Sequence, residues 1–466
     1  MRIITVREIA ENTEGRILQG APGAEVSGVS TDTRDIRPGD AFFALSGERF
    51  DAHDFLAAAA AAGAVALVVE RDDSVPADYA GAVIHVADAL AAYQNLAGWY
   101  LRSVDPIVIA VTGSVGKTTQ KDMIAAAASG TYRTIATEGN FNNHIGVPKT
   151  IFRMEEGTEL LVLELGMNHA GEIRLLAEIA KPDAAVITNI GISHRENFDA
   201  DDGILRAKLE VASFFDAANA LFVNGDDPAL RAYAKREDLP YDVVTAGESE
   251  GCDFRITPPQ YTGEEEISFA MQSERNAIVR FTIPAAGLYN GVSAALTAAA
   301  LSRVGIPEAK TAEQLKHLKR TGHRLRLIVG SGLKIIDDTY NASPDSMKSA
   351  IDYLTSFTDG RRIAVLAGMN ELGAHSADLH RGVGEYAAGA GVDVLAAIGE
   401  KGADIAAGFM AATGKNGKVK TYQNNAEAIG GLHKFVKDGD IVLAKGSRAM
   451  KTEEIVTALK EGHKKR

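Results

Sequence analysis

The stretch Val111-Thr-Gly-Ser-Val-Gly-Lys-Thr-Thr119 decides the fold of this chain. It follows Pro106-Ile-Val-Ile-Ala-Val-Thr112, a continuous run of mostly β-branched residues. Such a run is typical of a strand buried on both faces of a parallel sheet. Because Gly-Lys-Thr-Thr comes directly after this strand and opens a predicted helix, the stretch indicates a phosphate-binding loop.

The residues of this loop suit a nucleoside triphosphate. Gly113 and Gly116 allow backbone amides to turn inward around phosphate oxygens. Lys117 can reach the β- and γ-phosphates, Thr118 can ligate Mg²⁺, and a helix that begins near Lys117 directs its positive end at the anion. The full pattern has glycine at the position of Val111, so this is a variant; the alternative is a glycine-rich turn with an incidental lysine. The predicted nucleotide-binding residues of the loop are Gly113, Ser114, Val115, Gly116, Lys117, Thr118 and Thr119.

Similar apolar runs recur along the chain with helical segments between them. This alternation is the βαβ signature of a doubly wound sheet. We predict an α/β fold of three domains: an N-terminal α/β module, a central doubly wound sheet that carries the phosphate loop, and a C-terminal Rossmann-like α/β domain. The predicted domains are residues 1–103, 104–320 and 321–466.

Composition excludes several classes of protein. The chain has 466 residues, of which 46% are hydrophobic, and only one cysteine, Cys252. Disordered, collagen-like and disulfide-scaffold proteins are therefore excluded. The formal net charge is −13, which argues against a nucleic-acid partner. Neither a signal peptide nor a membrane span is visible, so a soluble, cytoplasmic protein is expected.

Polar residues after two later strands suggest a metal site. Glu164 ends the run Leu160–Leu165, and His194 follows the run Ala184–Asn189. Ligands bind at the carboxyl ends of strands in open α/β sheets, so both side chains could join Thr118 around Mg²⁺. The alternative is that each is a surface or capping residue. Lys208, judged from its neighbours alone, looks like an exposed helical lysine.

Several segments together resemble the Mur ligase family, the ATP-dependent amide ligases of peptidoglycan precursor synthesis. The phosphate loop matches the form that this family uses, and the resemblance extends over nearly the whole chain. The segments that carry it are Thr31-Asp-Thr-Arg34, Ala44-Leu-Ser-Gly-Glu-Arg-Phe-Asp51, Thr137-Glu-Gly-Asn-Phe-Asn-Asn-His-Ile-Gly-Val-Pro148, Glu164-Leu-Gly-Met-Asn-His-Ala-Gly-Glu172, Asp337-Asp-Thr-Tyr-Asn-Ala-Ser-Pro-Asp-Ser-Met347, Glu371-Leu-Gly373 and Lys445-Gly-Ser-Arg448.

The resemblance implies a reaction. The Asn-rich loop and the Tyr-Asn-Ala-Ser-Pro-Asp-Ser-Met segment are similar to those of the family members that join D-alanyl-D-alanine to UDP-N-acetylmuramoyl-tripeptide through an acyl phosphate. The implied cofactors are ATP and two Mg²⁺ ions, the implied partners are these two small molecules, and the implied state is a monomer. The N-terminal module would then bind the UDP-sugar.

The resemblance also implies roles for single residues. Lys117, Glu164, His194 and Lys208 would be catalytic, and Lys208 would be carbamylated, which turns an ammonium into a carboxylate-like ligand. The implied metal ligands are Thr118, Glu164, His194 and Lys208. The implied nucleotide contacts outside the loop are Asn290, Arg324, Asp338 and Asn341. The implied substrate contacts are Thr31, Asp32, Arg34, Ser46, His53, Asn142 and Asn143.

Three positions depart from the family pattern as we read it. Tyr289 stands where histidine is usual, His323 where glycine is usual, and Gly368 where an aspartate is expected. These departures concern the nucleotide and dipeptide sides, so a related ligase with a different amine acceptor is the main alternative. A second alternative is a nucleotide-driven switch, which has no need of an N-terminal UDP-sugar module.

Overall fold

Three sheet-centred domains make up the molecule. A computed structural model describes residues 1–47, 50–191, 198, 202–273, 278–319, 322–414 and 418–462. Each domain has its own α/β sheet, which confirms the predicted fold class. Within these described ranges, no helix is both long enough and apolar enough to cross a bilayer.

The N-terminal domain has a five-stranded main sheet and a small two-stranded one. Its elements are β1 (Ile4–Thr5), α1 (Val6–Asn12), β2 (Arg16–Gln19), β3 (Glu25–Val26), β4 (Gly28–Ser30), β5 (Asp40–Phe43), α2 (Leu56–Ala61), β6 (Ala66–Val69), β7 (Ala82–His85) and α3 (Ala89–Val104). Strands β4, β5 and β6 are parallel. Their carboxyl ends therefore share one edge, where the segments 31–34 and 46–53 begin.

The central domain has a ten-stranded sheet. Its elements are β8 (Ile107–Thr112), α4 (Lys117–Ala128), β9 (Thr134–Ala136), α5 (Gly146–Ile151), β10 (Leu160–Glu164), α6 (Glu172–Ala180), β11 (Ala184–Ile187), α7 (Gly203–Leu209), β12 (Ala220–Asn224), α8 (Pro228–Ala234), β13 (Asp242–Gly247), β14 (Phe254–Ile256), β15 (Gln260–Gly263), β16 (Glu266–Ser273), β17 (Val279–Ile283), α9 (Asn290–Arg303) and α10 (Glu308–Leu315). The strand order is β15-β16-β14-β13-β12-β11-β8-β10-β9, with β17 paired to β16.

The parallel part of this sheet is covered by helices on both faces. Alternate residues of β8 belong to different cores: Val108 and Ala110 pack with α3, α5 and α6, whereas Ile109 and Val111 pack with α4, α9 and α10. This is the predicted doubly wound arrangement. The antiparallel strands β15–β17 were not predicted from the sequence, because strands that bury only one face lack the continuous apolar runs of a strand buried on both.

The C-terminal domain has a six-stranded sheet in the order β18-β19-β23-β20-β21-β22. Its elements are β18 (Arg326–Gly330), β19 (Leu333–Asp338), α11 (Pro344–Thr355), β20 (Arg362–Ala367), α12 (Ser376–Gly389), β21 (Val394–Ile398), α13 (Gly399–Thr413), β22 (Lys418–Tyr422), α14 (Asn425–Phe435), β23 (Ile441–Lys445) and α15 (Glu453–Gly462). Only β18 runs antiparallel to its neighbour, and the Ser331-Gly332 turn joins it to β19.

Contacts between domains bring the functional segments together. The Tyr93 and Tyr100 rings of α3 pack against Phe152 of the central domain, with ring centroids 5.3 and 5.9 Å away. On the other side, Arg324 Nη2 donates a hydrogen bond to Thr118 Oγ1 at 3.1 Å. The domain limits at 103/104 and 320/321 stay predictions.

Candidate active site

The phosphate loop has the backbone shape that its glycines predict. Strand β8 ends at Thr112 and α4 begins at Lys117. Gly113 and Gly116 have φ angles of +147° and +80°, values that favour glycine. A Cβ atom on Gly113 would lie 1.9 Å from Thr188 Oγ1 on the neighbouring strand end. The loop therefore depends on glycine at 113 for both conformation and space.

Side chains of the central domain hold the loop in place. The backbone amides of Ser114 and Val115 donate to Asn189 Oδ1 at 3.1 and 2.9 Å. Lys117 Nζ donates to the carbonyl oxygens of Gly113 and Ser114 at 2.8 and 3.3 Å. Asn189 was not predicted as a site residue, although its position after β11, the neighbour of β8, is a signal for one.

Glu164 is buried at the end of β10, and one of its two carboxylate oxygens accepts a hydrogen bond. Its Oε1 accepts a hydrogen bond from Asn142 Nδ2 at 2.8 Å, and its backbone amide donates to Thr137 Oγ1 at 3.0 Å. Its Oε2 is buried and has no hydrogen-bond partner among the described residues. A buried carboxylate oxygen without a donor is costly, and a hard cation is a ligand that offsets the cost. Glu164 therefore has the chemistry expected of a ligand to the predicted Mg²⁺.

Lys208 is buried in α7, with 2% of its surface exposed. The interpretation of this residue as an exposed helical lysine was wrong, because the buried face of the short helix α7 includes it. Desolvation holds the pKa of Lys208 well below its usual range, and the like charge of Lys117 lowers the pKa further. A buried lysine beside another cation favours the neutral amine, the form that reacts with carbon dioxide.

Lys117 has a lowered pKa for a similar reason. Burial lowers it, Glu164 acts in the opposite direction, and Arg324 lowers it again. Lys117 is therefore influenced by both Glu164 and Arg324, and its own charge lowers the pKa of Lys208. An anionic ligand would stabilise positive charge at this site.

His194, the remaining predicted metal ligand, lies outside the described residues. Across the residues that are described, no cluster of three histidine, cysteine, aspartate or glutamate side chains forms a ready metal site. The predicted Mg²⁺ ligands are not all of these four residue types, because they include the Thr118 hydroxyl and a carbamylated Lys208.

A cleft of about 540 Å³ lies between the central and C-terminal domains. It brings together the loop, the Asn-rich segment, Glu164 and the segment after β19. The predicted residues that line it are Ser114, Val115, Gly116, Lys117, Thr118, Thr119, Asn142, Asn143, Glu164, Arg324, Asp338 and Asn341. Asn143 also caps α5, because its Oδ1 accepts from the amides of Ile145 and Gly146 at 3.2 and 2.8 Å.

A smaller cavity of about 60 Å³ adjoins the cleft beside Thr119, Tyr289 and Asn290. Asn290 Nδ2 donates to the carbonyls of Ala286 and Gly287 at 2.6 and 3.0 Å. Its Oδ1 is buried, and no donor to it is found in the part of the chain that the structure describes. This acceptor suits an amino group of a ligand.

The C-terminal wall of the cleft contains a buried ion pair. Lys445 Nζ donates to Asp338 Oδ2 at 2.5 Å and to the Asn341 carbonyl at 2.9 Å. The Arg324 guanidinium lies over the Tyr340 ring, 4.3 Å from its centroid. Lys445 and Tyr340 lie in segments that carry the family resemblance, and Tyr340 in the one expected to face ATP, but neither is among the predicted site residues. His323, one of the three departures from the family pattern, contacts the end of β19, since its Nδ1 lies 2.6 Å from Asp337 Oδ2.

The predicted UDP-sugar residues lie at the edge of the N-terminal sheet and line neither cavity. The Arg34 guanidinium pairs with both oxygens of Asp32, and these hydrogen bonds lower the pKa of Asp32 to about 2. Ser46 Oγ donates to Asp51 Oδ1 at 3.3 Å. His53 is buried, with Nδ1 2.7 Å from Asp51 Oδ1 and Nε2 accepting from the Glu70 amide at 3.0 Å.

Both ring nitrogens of His53 thus make hydrogen bonds within the protein. The direct effect of this side chain is to hold the loop around Asp51 in place. The assignment of Thr31, Asp32, Arg34, Ser46 and His53 to substrate binding stays a prediction.

Replacing Gly113 with alanine is expected to damage the loop. The added Cβ would meet Thr188, so the midpoint of thermal unfolding should fall and nucleotide affinity should drop by at least about 10-fold, given a strain of at least roughly 1–3 kcal/mol. Gly439→Ala is the matched control, since Gly439 has φ of +88° with open space around it. Equal effects of the two variants on ADP binding, measured by calorimetry, would contradict the steric explanation.

Comparisons with known proteins place the whole chain in one family. Residues 25–100 match the model of the Mur ligase family catalytic domain, residues 111–302 the Mur ligase middle domain, and residues 323–448 the Mur ligase glutamate ligase domain. The chain is 40% identical over 462 residues to the UDP-N-acetylmuramoyl-tripeptide–D-alanyl-D-alanine ligase of Bacillus subtilis, covering 98% of each. It is 34% identical to the enzyme of that name from Escherichia coli, again with 98% of each covered.

Solved structures show the same three-domain fold. The MurF ligase of Acinetobacter baumannii matches with a TM-score of 0.89 at 30% identity over 99% of both chains. The MurF ligase of Thermotoga maritima, solved in complex with ADP, matches with a TM-score of 0.83 at 28% identity over 94% of this chain and 98% of that one. Sequence and overall fold agree with these relatives, and the chain belongs to the Mur ligase family.

Proposed function

We propose that this protein joins D-alanyl-D-alanine to UDP-N-acetylmuramoyl-tripeptide and converts ATP to ADP and phosphate. The main support for the proposal is the cleft. It is lined by the phosphate loop, by the segment after β19 and by Glu164, whose buried Oε2 has no hydrogen-bond partner among the described residues. Similarity to curated ligases of that name over 98% of the chain supports the choice of substrates. The product would be UDP-N-acetylmuramoyl-pentapeptide, a precursor for cell-wall synthesis made in the cytoplasm.

The chemistry explains why a triphosphate is needed. A carboxylate is a poor acyl donor, because oxide is a poor leaving group. An oxygen of the tripeptide carboxylate attacks the γ-phosphorus of ATP, ADP leaves, and an acyl phosphate forms. The dipeptide amine then attacks the acyl carbon, phosphate leaves, and the nitrogen loses a proton to give the amide.

Both partners of the first step are anions, so the cleft must offset their repulsion. Lys117, Arg324 and the amino end of α4 supply positive charge at the loop. When bound, Mg²⁺ supplies further neutralisation of phosphate charge. The proposed ligands, for two ions, are Thr118, Glu164, His194 and carbamylated Lys208.

The chain's own residues also position the reactants. Asn142 orients Glu164 through its 2.8 Å hydrogen bond, and we assign Asn142 and Asn143 to the neighbourhood of the substrate carboxylate. On the nucleotide side, the Asn290 acceptor and the half-exposed Tyr289 ring are proposed to contact the base. Asp338 and Asn341 close the site from the C-terminal domain, which excludes water from the acyl phosphate.

A phosphate-release assay tests this function. Release should require UDP-N-acetylmuramoyl-tripeptide and D-alanyl-D-alanine together, with diaminopimelate and lysine forms of the tripeptide compared. Release with another amino acid or dipeptide alone would assign a different amine acceptor, the alternative raised by Gly368 and His323. Hydrolysis without any acceptor would instead indicate a nucleotide-driven switch.

Light scattering of the same sample tests the proposed monomer.

A further inference from the structure

An ion pair joins the N-terminal domain to α5, the short helix of the central domain that follows the asparagines of the cleft. Lys149, in α5, donates from its Nζ to Asp35 Oδ2 at 2.9 Å. The backbone amide of Asp35 donates to the carbonyl of Asp32 at 3.0 Å, so Asp35 closes the turn that contains Asp32 and Arg34. The ion pair therefore ends beside two of the residues that are predicted to bind the UDP-sugar.

The same lysine also holds Phe141, on the other side of α5. The Lys149 ammonium lies 4.9 Å from the centroid of the Phe141 ring, a distance at which a cation is attracted to an aromatic face. The backbone of Phe141 packs closely against Gly146, because a Cβ atom on that glycine would lie 2.4 Å from Phe141 Cα. Phe141 is thus fixed to α5 at both its backbone and its ring.

Phe141 directly precedes the residue that orients Glu164. Asn142 Nδ2 donates to Glu164 Oε1 at 2.8 Å, and the Asn142 carbonyl accepts from the Gly166 amide, also at 2.8 Å. A continuous series of contacts therefore leads from the loop of residues 31–35, through α5, to the predicted metal ligand in the cleft.

The ion pair adds little to the stability of the fold. The side chains of Lys149 and Asp35 are 37% and 57% exposed, and pairs of this exposure contribute little to the free energy of unfolding. The two domains are already held together by buried contacts of α3, whose Tyr100 hydroxyl donates to the Met154 carbonyl at 2.9 Å. What Lys149 contributes is the position of one loop relative to the other.

We propose that Lys149 is a positioning residue, which fixes the binding site for the UDP end of the precursor relative to Glu164. This inference rests on the proposed function, because it takes residues 31–34 to bind the UDP-sugar and the cleft to bind the tripeptide carboxylate. Such a precursor is one molecule held at both ends. Binding energy from the remote end can lower the barrier of the reaction only where the reacting end is held in the correct place. Through Lys149, the UDP group therefore contributes to the rate.

The experiment compares two precursors with the full-length protein, ATP and D-alanyl-D-alanine: UDP-N-acetylmuramoyl-tripeptide, and N-acetylmuramoyl-tripeptide without the UDP group. Wild type should have the higher kcat with the UDP precursor, since truncated substrates lose kcat when remote binding energy is used. The ratio of the two kcat values should fall by about 5-fold in Lys149→Met and equally in Asp35→Asn, the upper limit for a partly exposed ion pair. The double variant should lose no more than either single one, because both remove the same contact.

Two variants separate this role from a structural one. Lys149→Arg should keep most of the ratio, because a guanidinium can pair with Asp35 and lie over an aromatic ring. Lys316→Met is the matched control, since Lys316 forms a similarly exposed ion pair with Glu313 at 2.6 Å and should leave the ratio unchanged. The unfolding midpoint should be the same in all of these variants.

Three results would overturn the assignment: equal kcat values for the two precursors in wild type, an unchanged ratio in Lys149→Met, or additive losses in the double variant. If Lys149→Met fails to fold, Asp35→Asn tests the same contact from the other side. Absence of phosphate release by wild type with the UDP precursor and the dipeptide would instead contradict the proposed function itself.

Discussion

Lys208→Ala is expected to reduce amide bond formation by at least about 100-fold, the usual cost of removing one electrostatic contributor from an active site. The lysine is buried, and its pKa is held well below the usual range by desolvation and by Lys117. A neutral amine reacts with carbon dioxide to give a carbamate and a proton. Losing that carbamate would remove a negative charge from beside Lys117 and, by our assignment, one of the ligands of Mg²⁺.

Chemical rescue distinguishes this role from a structural one. Bicarbonate, acetate or formate added to Lys208→Ala should restore part of the activity, because a small carboxylate can occupy the space of the carbamate. Carbon-13 NMR of wild type in labelled bicarbonate should show one carbamate signal that Lys208→Ala lacks. Lys310→Ala, at an exposed lysine of α10, is the control. An active Lys208→Ala enzyme with no carbamate signal in wild type would eliminate the proposal.

Glu164→Gln is expected to lower kcat by at least about 100-fold while leaving the fold intact. Glutamine keeps an oxygen for the Asn142 hydrogen bond, so the geometry of the strand end is preserved. What is lost is the charge on Oε2, the buried oxygen without a partner among the described residues. Removing a buried charge of this kind relieves a desolvation cost, so the unfolding midpoint in metal-free buffer should not fall.

Thermal unfolding with and without Mg²⁺ plus ADP provides the second measurement. Ligand binding stabilises the native state, so wild type should unfold at a higher temperature with both added. Glu164→Gln should show a smaller shift. The matched control is Glu178→Gln, at an exposed position of α6. Near-normal kcat in Glu164→Gln would remove Glu164 from the proposed metal site.

Much of the fold was predictable because it depends on interactions between residues that are close together in the sequence. A buried β-branched run followed by Gly-Ser-Val-Gly-Lys-Thr specifies strand, loop and helix within a few residues, and the structure has β8 and α4 there. The antiparallel end of the central sheet was not predicted, since its strands bury only one face and alternate apolar with polar residues instead of forming continuous apolar runs.

The chemistry of the site was less predictable because it depends on contacts distant in sequence. Lys208 looks ordinary among its neighbours, and only the packing of α7 buries it. Asn189 supports the phosphate loop from the neighbouring strand, β11. Both relations join residues that local patterns cannot connect. The resemblance to a family supplied Lys208, but not Asn189.

The hydrogen bond from Arg324 to Thr118 ties the C-terminal domain to the phosphate loop through one hydroxyl. By our assignment this hydroxyl would also be a ligand of Mg²⁺, so the guanidinium and the metal would depend on the same oxygen. Because Arg324 belongs to the C-terminal domain, loading of the nucleotide site would then be coupled to the position of that domain.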